Sequence, residues 1–303
     1  MASSPYNWLT FIKNHPVICR PALPKDTADI LEITRTIWDG EDYVPAVWSE
    51  WLEDYQGLLA VAERGGQVVG TGKLTLFSPR DWWLEGLRVH PELQGQGIAA
   101  HLHDYLLDYW LRAGQGTLRL ATASFRLAVQ HLAERSGFNK LAEFSAYSAP
   151  AIEGDSQYFT DLTLDEVSDA LEYAKQSPTF SMSSYLMDLG WQWTAADQSL
   201  FTQAIRRQCA WWWQGRRGLL VAWEDRESQV PRQIISLVAC QLPDLVPLLE
   251  EYRALVEKTG FPEAAWSAPL HPQLTPLLAR AGFSREWEDA VYVYARQHPR
   301  IPS

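Results

Sequence analysis

One stretch of the chain places a carboxylate, a strand and a glycine-rich turn at spacings that suit phosphate and proton-transfer chemistry. It begins with the apolar residues 82–89, which include Glu85, and soon reaches Gln94-Gly95-Gln96-Gly97. From Ile98 onwards, apolar side chains recur at helical spacing. The N–H groups of such a turn converge at the helix start, where they and the helix dipole favour an anion such as a pyrophosphate. The stretch therefore predicts a phosphate-binding turn shortly after a buried carboxylate.

Two common nucleotide-binding motifs do not fit this turn. It lacks the Gly-Lys-Ser/Thr ending of an ATP or GTP P-loop. A nicotinamide fingerprint needs a third glycine after Gly95 and Gly97, and Ala100 stands there instead. The predicted ligand is therefore a diphosphate held by main-chain groups without a lysine.

The surrounding pattern predicts the elements that position the turn. Hydrophobic periodicity, capping residues and glycines indicate the order β-α-β-β-β-α-β-α-β in the first half of the chain, which is a mixed α/β (α+β) sheet with helices. The predicted segments are a strand at 17–21, a helix at 25–38, a hairpin at 57–77, a strand at 82–89, a helix at 98–112, a strand at 117–121, a helix at 126–135 and a strand at 138–147.

The second half of the chain repeats parts of the first. Residues 57–63 resemble 218–224, and a later block around Gly137-Phe138 resembles one around Gly282-Phe283. The small, turn-forming residues 148–155 separate the halves, so we predict domains at 1–150 and 155–303. The segment 241–247 in the second copy has no glycine, two prolines and an aspartate, which predicts that this copy has lost the phosphate-binding turn.

Composition and charge disfavour several classes of partner. The 303 residues carry a net charge of −11, which disfavours nucleic acid as a partner. The three cysteines show no metal-ligand spacing, and we expect neither a metal nor disulfides. No apolar stretch approaches the ~20 residues that cross a bilayer, and the first residues do not resemble a signal peptide. We expect a cytoplasmic protein without a membrane partner.

The turn resembles motif A of the GNAT superfamily of acyl-CoA-dependent N-acyltransferases. Val89-His90-Pro91 ends the preceding strand as in that family, and Gln94, Gly97 and Ala99 occupy the signature positions Arg/Gln-x-x-Gly-x-Gly/Ala. The resemblance covers residues 17–148. It implies two GNAT-like lobes, a catalytic first lobe and a degenerate second one.

The resemblance also implies roles for individual residues. Glu85 is the candidate general base that removes a proton from the amine. Strand alternation places Glu85, Leu87 and Val89 on one face. Acetyl-CoA is the implied acyl donor. Its pantetheine arm would pair with the backbone of Leu87, Arg88 and Val89, and its pyrophosphate would bind the amides of Gln94, Gly95, Gln96, Gly97, Ile98 and Ala99.

Two positions depart from the family pattern. Arg126 stands where relatives often carry an asparagine that contacts the cofactor, and Ala133 stands where they often carry the tyrosine that protonates the leaving thiolate. No general acid is therefore assigned, and Ser124, Ser136 and Tyr147 are candidates without further support. Cys19 lies on the opening strand, so we expect direct transfer in a ternary complex without a covalent enzyme intermediate.

The expected activity is an N-acetyltransferase (EC 2.3.1 class) that acetylates a primary amine of a small molecule, such as an amino acid. The residues before the turn and the degenerate second lobe are similar to proteins grouped with histidine N-acetyltransferase. One alternative is a non-catalytic acyl-CoA sensor or interaction module. Another is a transferase that uses a different donor, such as aminoacyl-tRNA or myristoyl-CoA, against which the acidic charge and the pyrophosphate turn respectively argue.

Overall fold

The structure, a computed structural model, describes residues 15–226 and 230–299. The N-terminal residues that entered the prediction of cellular location lie outside these ranges. The strands are β1 Val17–Pro21, β2 Leu58–Arg64, β3 Gln67–Ser78, β4 Asp81–Val89, β5 Thr117–Ala123, β6 Asn139–Pro150, β7 Phe159–Asp161, β8 Leu186–Asp188, β9 Trp193–Ala195, β10 Ala210–Trp213, β11 Gly218–Asp225, β12 Arg232–Cys240, β13 Glu263–Pro269, β14 Ser284–Arg285 and β15 Val291–Gln297. The helices are α1 Thr27–Thr34, α2 Val44–Glu53, α3 Ile98–Ala113, α4 Leu127–Arg135, α5 Val167–Gln176, α6 Pro178–Met182, α7 Gln198–Arg206, α8 Leu245–Lys258 and α9 Thr275–Arg280.

The chain divides into two compact units. In the described residues, unit 1 runs to Leu120 and includes Leu132–Phe138 and the stretch from Ala295 onwards. Unit 2 contains Ala121–His131 and Asn139–Tyr294. The domains drawn from the sequence at 1–150 and 155–303 stay a prediction.

The sheet of unit 1 has the strand order β1-β2-β3-β4-β5. Neighbours from β1 to β4 are antiparallel, and β4 pairs with β5 in parallel. Helix α3 packs closely on one face because Gly70 and Gly72 of β3 have no side chains. A Cβ on Gly70 would lie 3.0 Å from Leu102 Cδ1, and one on Gly72 would lie 2.9 Å from Leu106 Cδ1.

The prediction of one helix over 25–38 was wrong. Helix α1 ends at Thr34, because Trp38 and Asp39 have positive φ angles of 49° and 57° that no α-helix contains. A second helix, α2, follows and was not predicted. Its buried residues Val44, Trp48 and Trp51 lie four and three positions apart, which is a helical pattern in the sequence itself.

The sheet of unit 2 has the order β6-β13-β12-β11-β10-β7. Strands β12 and β13 are parallel, as β4 and β5 are in unit 1, and the other neighbours are antiparallel. The repeated segment 57–63 coincides with β2, and 218–224 lies within β11. The mixed α/β fold class is confirmed.

Candidate active site

Strand β4 is interrupted by a bulge next to the candidate base. Glu85 is opposite Lys73 and Arg88 is opposite Thr71, so two residues of β4 face one residue of β3. Gly86 sits in the bulge with φ +63°, and a Cβ there would lie 2.5 Å from the Trp51 ring. A glycine is therefore required at this position.

The bulge overturns the expectation that Glu85, Leu87 and Val89 share one face. Glu85 contacts Thr75 of β3. Because Gly70 and Gly72 face α3, Thr75 lies on the other face of β3. Leu87 lies on the opposite face, where its Cδ1 would be 3.5 Å from a Cβ on Gly72. The extra residue reverses the alternation, so Glu85 and Arg88 lie on the same face instead.

Glu85 is half-buried and fixed by a hydroxyl. Thr75 Oγ1 donates a hydrogen bond of 2.5 Å to Glu85 Oε1. The Tyr43 hydroxyl lies nearby: its removal from water raises its pKa to about 12, and the negative charge of Glu85 adds to the effect. The Gly86 N–H, which donates to the Tyr43 oxygen, acts in the opposite direction. Glu85 thus lies on the face of the sheet that Tyr43 contacts.

A charged pair lies beside Glu85. It was not predicted from the sequence. Lys73, the cross-strand partner of Glu85, is fully buried and forms an ion pair with Asp54. Burial opposes ionisation of Asp54, but hydrogen bonds from Lys73 and from the Gln56 and Gly57 amides outweigh it and lower the pKa of this carboxyl. A lysine inside a β-strand pattern was the available signal, because a buried lysine needs a partner.

Strands β4 and β5 pair along a short region and then diverge. Parallel pairing joins residues 81–83 of β4 only to residues 117–119 of β5. A buried ion pair between Arg119 and Asp81 lies where the two strands are paired. From Leu84 to Val89, therefore, β4 presents backbone groups on that side without a paired strand in the described residues.

The glycine-rich turn is exposed, although the Gln94 N–H donates to Pro91 O at 3.4 Å. Gln94 to Gly97 are exposed, and Gly95 and Gly97 have φ angles of +75° and +80°. A Cβ on either glycine would meet no atom within 4 Å, so space is open beside the turn. The first hydrogen bond of α3 runs from His101 N to Gly97 O at 3.1 Å, which leaves the amides of the first helical turn, including Ile98 and Ala99, without a helical acceptor. Unpaired amides at a helix start favour an anion, and phosphate binding at this turn stays a prediction.

Arg64 is a cation next to the turn that the sequence did not indicate. Its Nη1 donates to Gln96 Oε1 at 2.8 Å, and its Nε donates to His15 O at 2.7 Å. Arg64 lies at the end of β2, more than 30 positions away in sequence, so only the fold brings its positive charge to the phosphate-binding turn.

The side chain of Arg88 points away from the turn. Its Nε and Nη2 donate to the two oxygens of the buried Asp42 carboxylate at 2.7 and 2.9 Å. Its Nη1 also donates to Leu87 O at 3.3 Å. The pairing of a ligand arm with the backbone of Leu87, Arg88 and Val89 stays a prediction.

The candidate proton donors have other partners. Ser136 Oγ donates to Leu132 O at 2.8 Å, and Ser124 Oγ contacts Asp289 Oδ1 at 3.1 Å. Tyr147 is buried in the core of unit 2. Ala133 is also buried, and Arg126 is partly exposed. The proton donor to the leaving group therefore stays unassigned.

Among the described residues, the cysteines and the metal-ligating residue types form no reactive group. Burial raises the pKa of Cys19 to about 11, so it is a thiol at neutral pH. Residues 15–226 and 230–299 contain no group of three or more histidine, cysteine or acidic residues arranged to hold a metal. None of their helices is long and apolar enough to cross a membrane.

Unit 2 has the same strand-and-helix arrangement with a different turn. The segment between β12 and α8 is a 3-10 turn, Leu242–Asp244, that contains Pro243. Asp244 is largely buried there and forms an ion pair with Arg217. A carboxylate thus occupies the place where unit 1 exposes main-chain N–H groups.

The opening between β12 and β13 is filled by the chain itself. Parallel pairing ends at Ile235 and Trp266, as it ends early between β4 and β5. Beyond that point Thr179 Oγ1 donates to Val238 O at 3.0 Å and accepts from Cys240 N at 2.9 Å. The segment 177–193 therefore supplies hydrogen-bond partners to the edge of β12, where a ligand arm would otherwise bind.

Comparison with known proteins agrees with this geometry. Residues 26–138 match the sequence model of the Acetyltransferase (GNAT) family. Over 82 residues the chain is 30% identical to histidine N-acetyltransferase of Oreochromis niloticus, which covers 27% of this chain and 24% of that protein. The chain thus spans about a quarter of this curated relative.

Solved structures extend the likeness to nearly the whole chain. A GCN5-related N-acetyltransferase from Sphaerobacter thermophilus has a TM-score of 0.61 at 14% identity, over 95% of this chain and 98% of that one. A tandem GNAT protein from the clavulanic acid biosynthesis pathway has a TM-score of 0.56 at 12% identity, over 95% of this chain and 100% of that one. At these identities the likeness establishes the fold, and the predicted two-lobed architecture is confirmed. Residues 26–138 thus match the model of the GNAT acetyltransferase family, and the chain has a two-lobed GNAT fold.

Proposed function

We propose that this protein is an N-acetyltransferase that moves an acetyl group from acetyl-CoA to a primary amine of a small molecule, such as an amino acid. The observation that carries the proposal is the exposed turn at 94–97, with open space beside Gly95 and Gly97 and a neighbouring cation. It follows strand β4, which beyond residue 83 has no paired strand on its β5 side among the described residues. The histidine N-acetyltransferase relative favours an acceptor similar to histidine.

The residues present fit acetyl-CoA as the donor. The amides of residues 94–99 would hold the pyrophosphate, because the glycines leave room beside them and the helix start favours negative charge. The backbone of Leu87 to Val89 would pair with the amides of the pantetheine arm, as an added strand does. When bound, the donor supplies the activated acetyl thioester.

The proposed reaction is direct attack by the amine. An aliphatic amine is mostly protonated at neutral pH, so Glu85 accepts a proton from the ammonium, directly or through a water molecule. The nitrogen then forms a bond to the acetyl carbon while the carbon–sulfur bond breaks. The thiolate leaves and ends as a thiol with the second proton from nitrogen.

The phosphate-binding turn is tested with a matched pair of variants. Gly97→Glu places a side chain and a negative charge in the open space, so we expect loss of CoA binding by calorimetry, at least 100-fold in Kd. Gly260→Glu is the control, because Gly260 has the same φ of +80° and equally open surroundings. Unchanged CoA affinity in Gly97→Glu would refute the assignment of the turn.

Turnover separates an enzyme from a sensor. We expect the wild-type protein to release CoA thiol from acetyl-CoA in the presence of amino acids or small amines. Tight CoA binding without turnover on any amine would instead favour the acyl-CoA sensor. The cytoplasmic location and the division into a catalytic domain at 1–150 and a degenerate one at 155–303 are part of the proposal.

A further inference from the structure

The connection between α1 and α2, residues 35–43, is held in an unfavourable backbone conformation. Trp38 and Asp39 have positive φ angles of 49° and 57°, a region that a bulky side chain such as tryptophan rarely adopts. Such strain persists only where surrounding contacts hold it. Contacts with other parts of the chain therefore fix this connection.

A buried ion pair supplies contacts of this kind. Nε and Nη2 of Arg88 donate to the two oxygens of Asp42 at 2.7 and 2.9 Å, and the Val44 N–H donates to Asp42 Oδ1 at 3.2 Å. The Asp42 side chain is 0% and the Arg88 side chain 9% exposed, so water scarcely competes for these bonds. One carboxylate thus ties strand β4 to the start of α2.

The same guanidinium packs on two rings of the connection. Arg88 Cζ lies 4.6 Å from the Trp38 ring centroid and 5.3 Å from that of Tyr43. Because Asp42 neutralises its charge, the guanidinium acts here as a planar packing surface and not as a free cation. The connection is therefore held against the strand that carries Glu85.

Tyr43 brings the connection next to the candidate base. Its oxygen accepts from the N–H of Gly86, the residue that directly follows Glu85. Burial, and then the negative charge of Glu85, raise the pKa of Tyr43 to about 12, so its hydroxyl is protonated at neutral pH. The Trp51 ring supports the Tyr43 ring edge-on at 6.0 Å between centroids, and Tyr43 is still 40% exposed. A molecule that reaches Glu85 on this face therefore has Tyr43 as a neighbour.

We propose that Arg88 and Asp42 are positioning residues for the amine acceptor, because they hold the connection against β4 so that Tyr43 contacts the acceptor beside Glu85. This inference rests on the proposed acetyltransferase function. When the pair is broken, the connection spends part of its time in arrangements that do not place Tyr43 there. The apparent affinity for the acceptor then falls in proportion to the competent fraction, whereas donor binding at the glycine-rich turn is unaffected.

The test combines hydrogen exchange with steady-state kinetics on Asp42→Asn, which keeps the side-chain shape and removes the charge. We expect the amides of residues 36–47 to exchange about 10-fold faster, because the buried pair no longer holds the connection. With acetyl-CoA and L-histidine, KM for the amine is expected to rise about 10-fold. The value of kcat, and the Kd for CoA from calorimetry, are expected to stay within about twofold of wild type.

Asp26→Asn is the matched control, because Asp26 has the same local arrangement elsewhere in unit 1. Its carboxylate accepts from Nη1 and Nη2 of Arg20 at 2.8 and 2.9 Å and from the Leu23 N–H at 2.8 Å. Its side chain is only 4% exposed. We expect this variant to lose stability in urea unfolding, as Asp42→Asn does, and to leave the exchange of residues 36–47 and KM for the amine unchanged.

Arg88→Lys is a second variant that keeps the positive charge. A lysine lacks the planar fork that donates to both carboxylate oxygens and packs on the rings, so we expect a smaller rise in KM for the amine, about 3-fold. This variant decides the question if Asp42→Asn does not fold.

The contrary outcomes separate this inference from the proposed function. Equal rises in KM for Asp26→Asn and Asp42→Asn would show that the pair is structural only and overturn the inference. Faster exchange of residues 36–47 with an unchanged KM would also overturn it, as would unchanged exchange. Each of these results leaves the acetyltransferase proposal standing, whereas absence of wild-type turnover with every amine would overturn both.

Discussion

At the scale of the residue, the environment of Glu85 decides whether it acts as a base. Its type and position on an apolar strand are visible in the sequence, but its partners are not. Thr75 fixes one carboxylate oxygen, and Lys73 with Asp54 fills the adjacent interior. A carboxylate held in this way has a defined orientation, which the proposed role as a general base requires.

Replacing Glu85 tests the base directly. We expect Glu85→Gln to lower kcat about 100- to 1000-fold while CoA affinity stays within twofold, because the amide cannot accept the proton and does not touch the phosphate-binding turn. Rates measured from pH 5.5 to 9.5 and CoA calorimetry check this. An unaltered pH–rate profile would remove Glu85 from the mechanism.

Thr75 provides a subtler test at the same site. Its hydrogen bond stabilises the ionised form of Glu85, so Thr75→Val is expected to move the acid limb of the pH–rate profile to higher pH. Thr75→Ser keeps the hydroxyl and is expected to restore the wild-type limb. If the serine and valine variants share one profile, the hydroxyl does not act on the base.

At the scale of the element, the hairpin of β8 and β9 fills the opening in unit 2 around a buried acid. The Asp188 carboxylate accepts from the amides of Gly190 and Trp191, both at 2.9 Å. Ser236 Oγ donates to Asp188 O at 2.5 Å and ties the hairpin to β12. Burial raises the pKa of Asp188 to about 6, although these amides and the Ser267 hydroxyl act in the opposite direction.

The raised pKa gives a stability prediction with a definite sign. Between pH 4 and 6 the folded state binds a proton at Asp188 that the unfolded chain releases, so the unfolding free energy falls as pH rises through this window. Asp188→Asn removes this dependence. Relative to wild type, we expect the variant to gain about 2–3 kcal/mol between pH 4 and pH 7, as measured by urea unfolding.

A control separates this site from other titrating groups. Burial lowers the pKa of His103 to about 4, which makes wild type less stable as pH falls below 6.5 and partly masks Asp188. The comparison therefore uses the difference between variant and wild type, with the exposed Asp161→Asn as control. Parallel pH curves for Asp188→Asn and wild type would contradict the prediction.

At the scale of the whole molecule, the two lobes share a fold but differ at the place where strands part. In unit 1, β4 has no paired strand on its β5 side beyond residue 83 within the described part of the chain, and the space beside the glycine turn is open. In unit 2, Thr179 and its neighbours occupy the edge of β12, and Asp244 replaces the glycine turn. Fold similarity alone therefore does not make the second lobe a binding site.

This difference predicts the binding stoichiometry. We expect one CoA per chain by calorimetry, and no residual binding in Gly97→Glu, because only unit 1 offers a phosphate-binding turn among the described residues. A stoichiometry near two, or binding that survives in Gly97→Glu, would show that the second lobe also binds the ligand.

Much of the local structure was predictable because it depends on neighbours in sequence. The start of α3 at Ile98 follows from the two glycines before it and the helical spacing after it. The limits of β12 follow from an apolar run that ends before Leu242-Pro243. Helix α2 was missed although its pattern is present, because the segment before it was assigned to one long helix.

The sequence by itself determined the glycine turn, the candidate base and the loss of that turn in the second copy, since each depends on residue type and short-range geometry. Tertiary structure alone decided that a bulge places Glu85 and Leu87 on opposite faces of the sheet, that Arg64 contacts the glycine turn, and that residues 177–193 close the second opening. These features require contacts between segments tens of residues apart. Because long-range packing determines these features, no local sequence pattern predicts them.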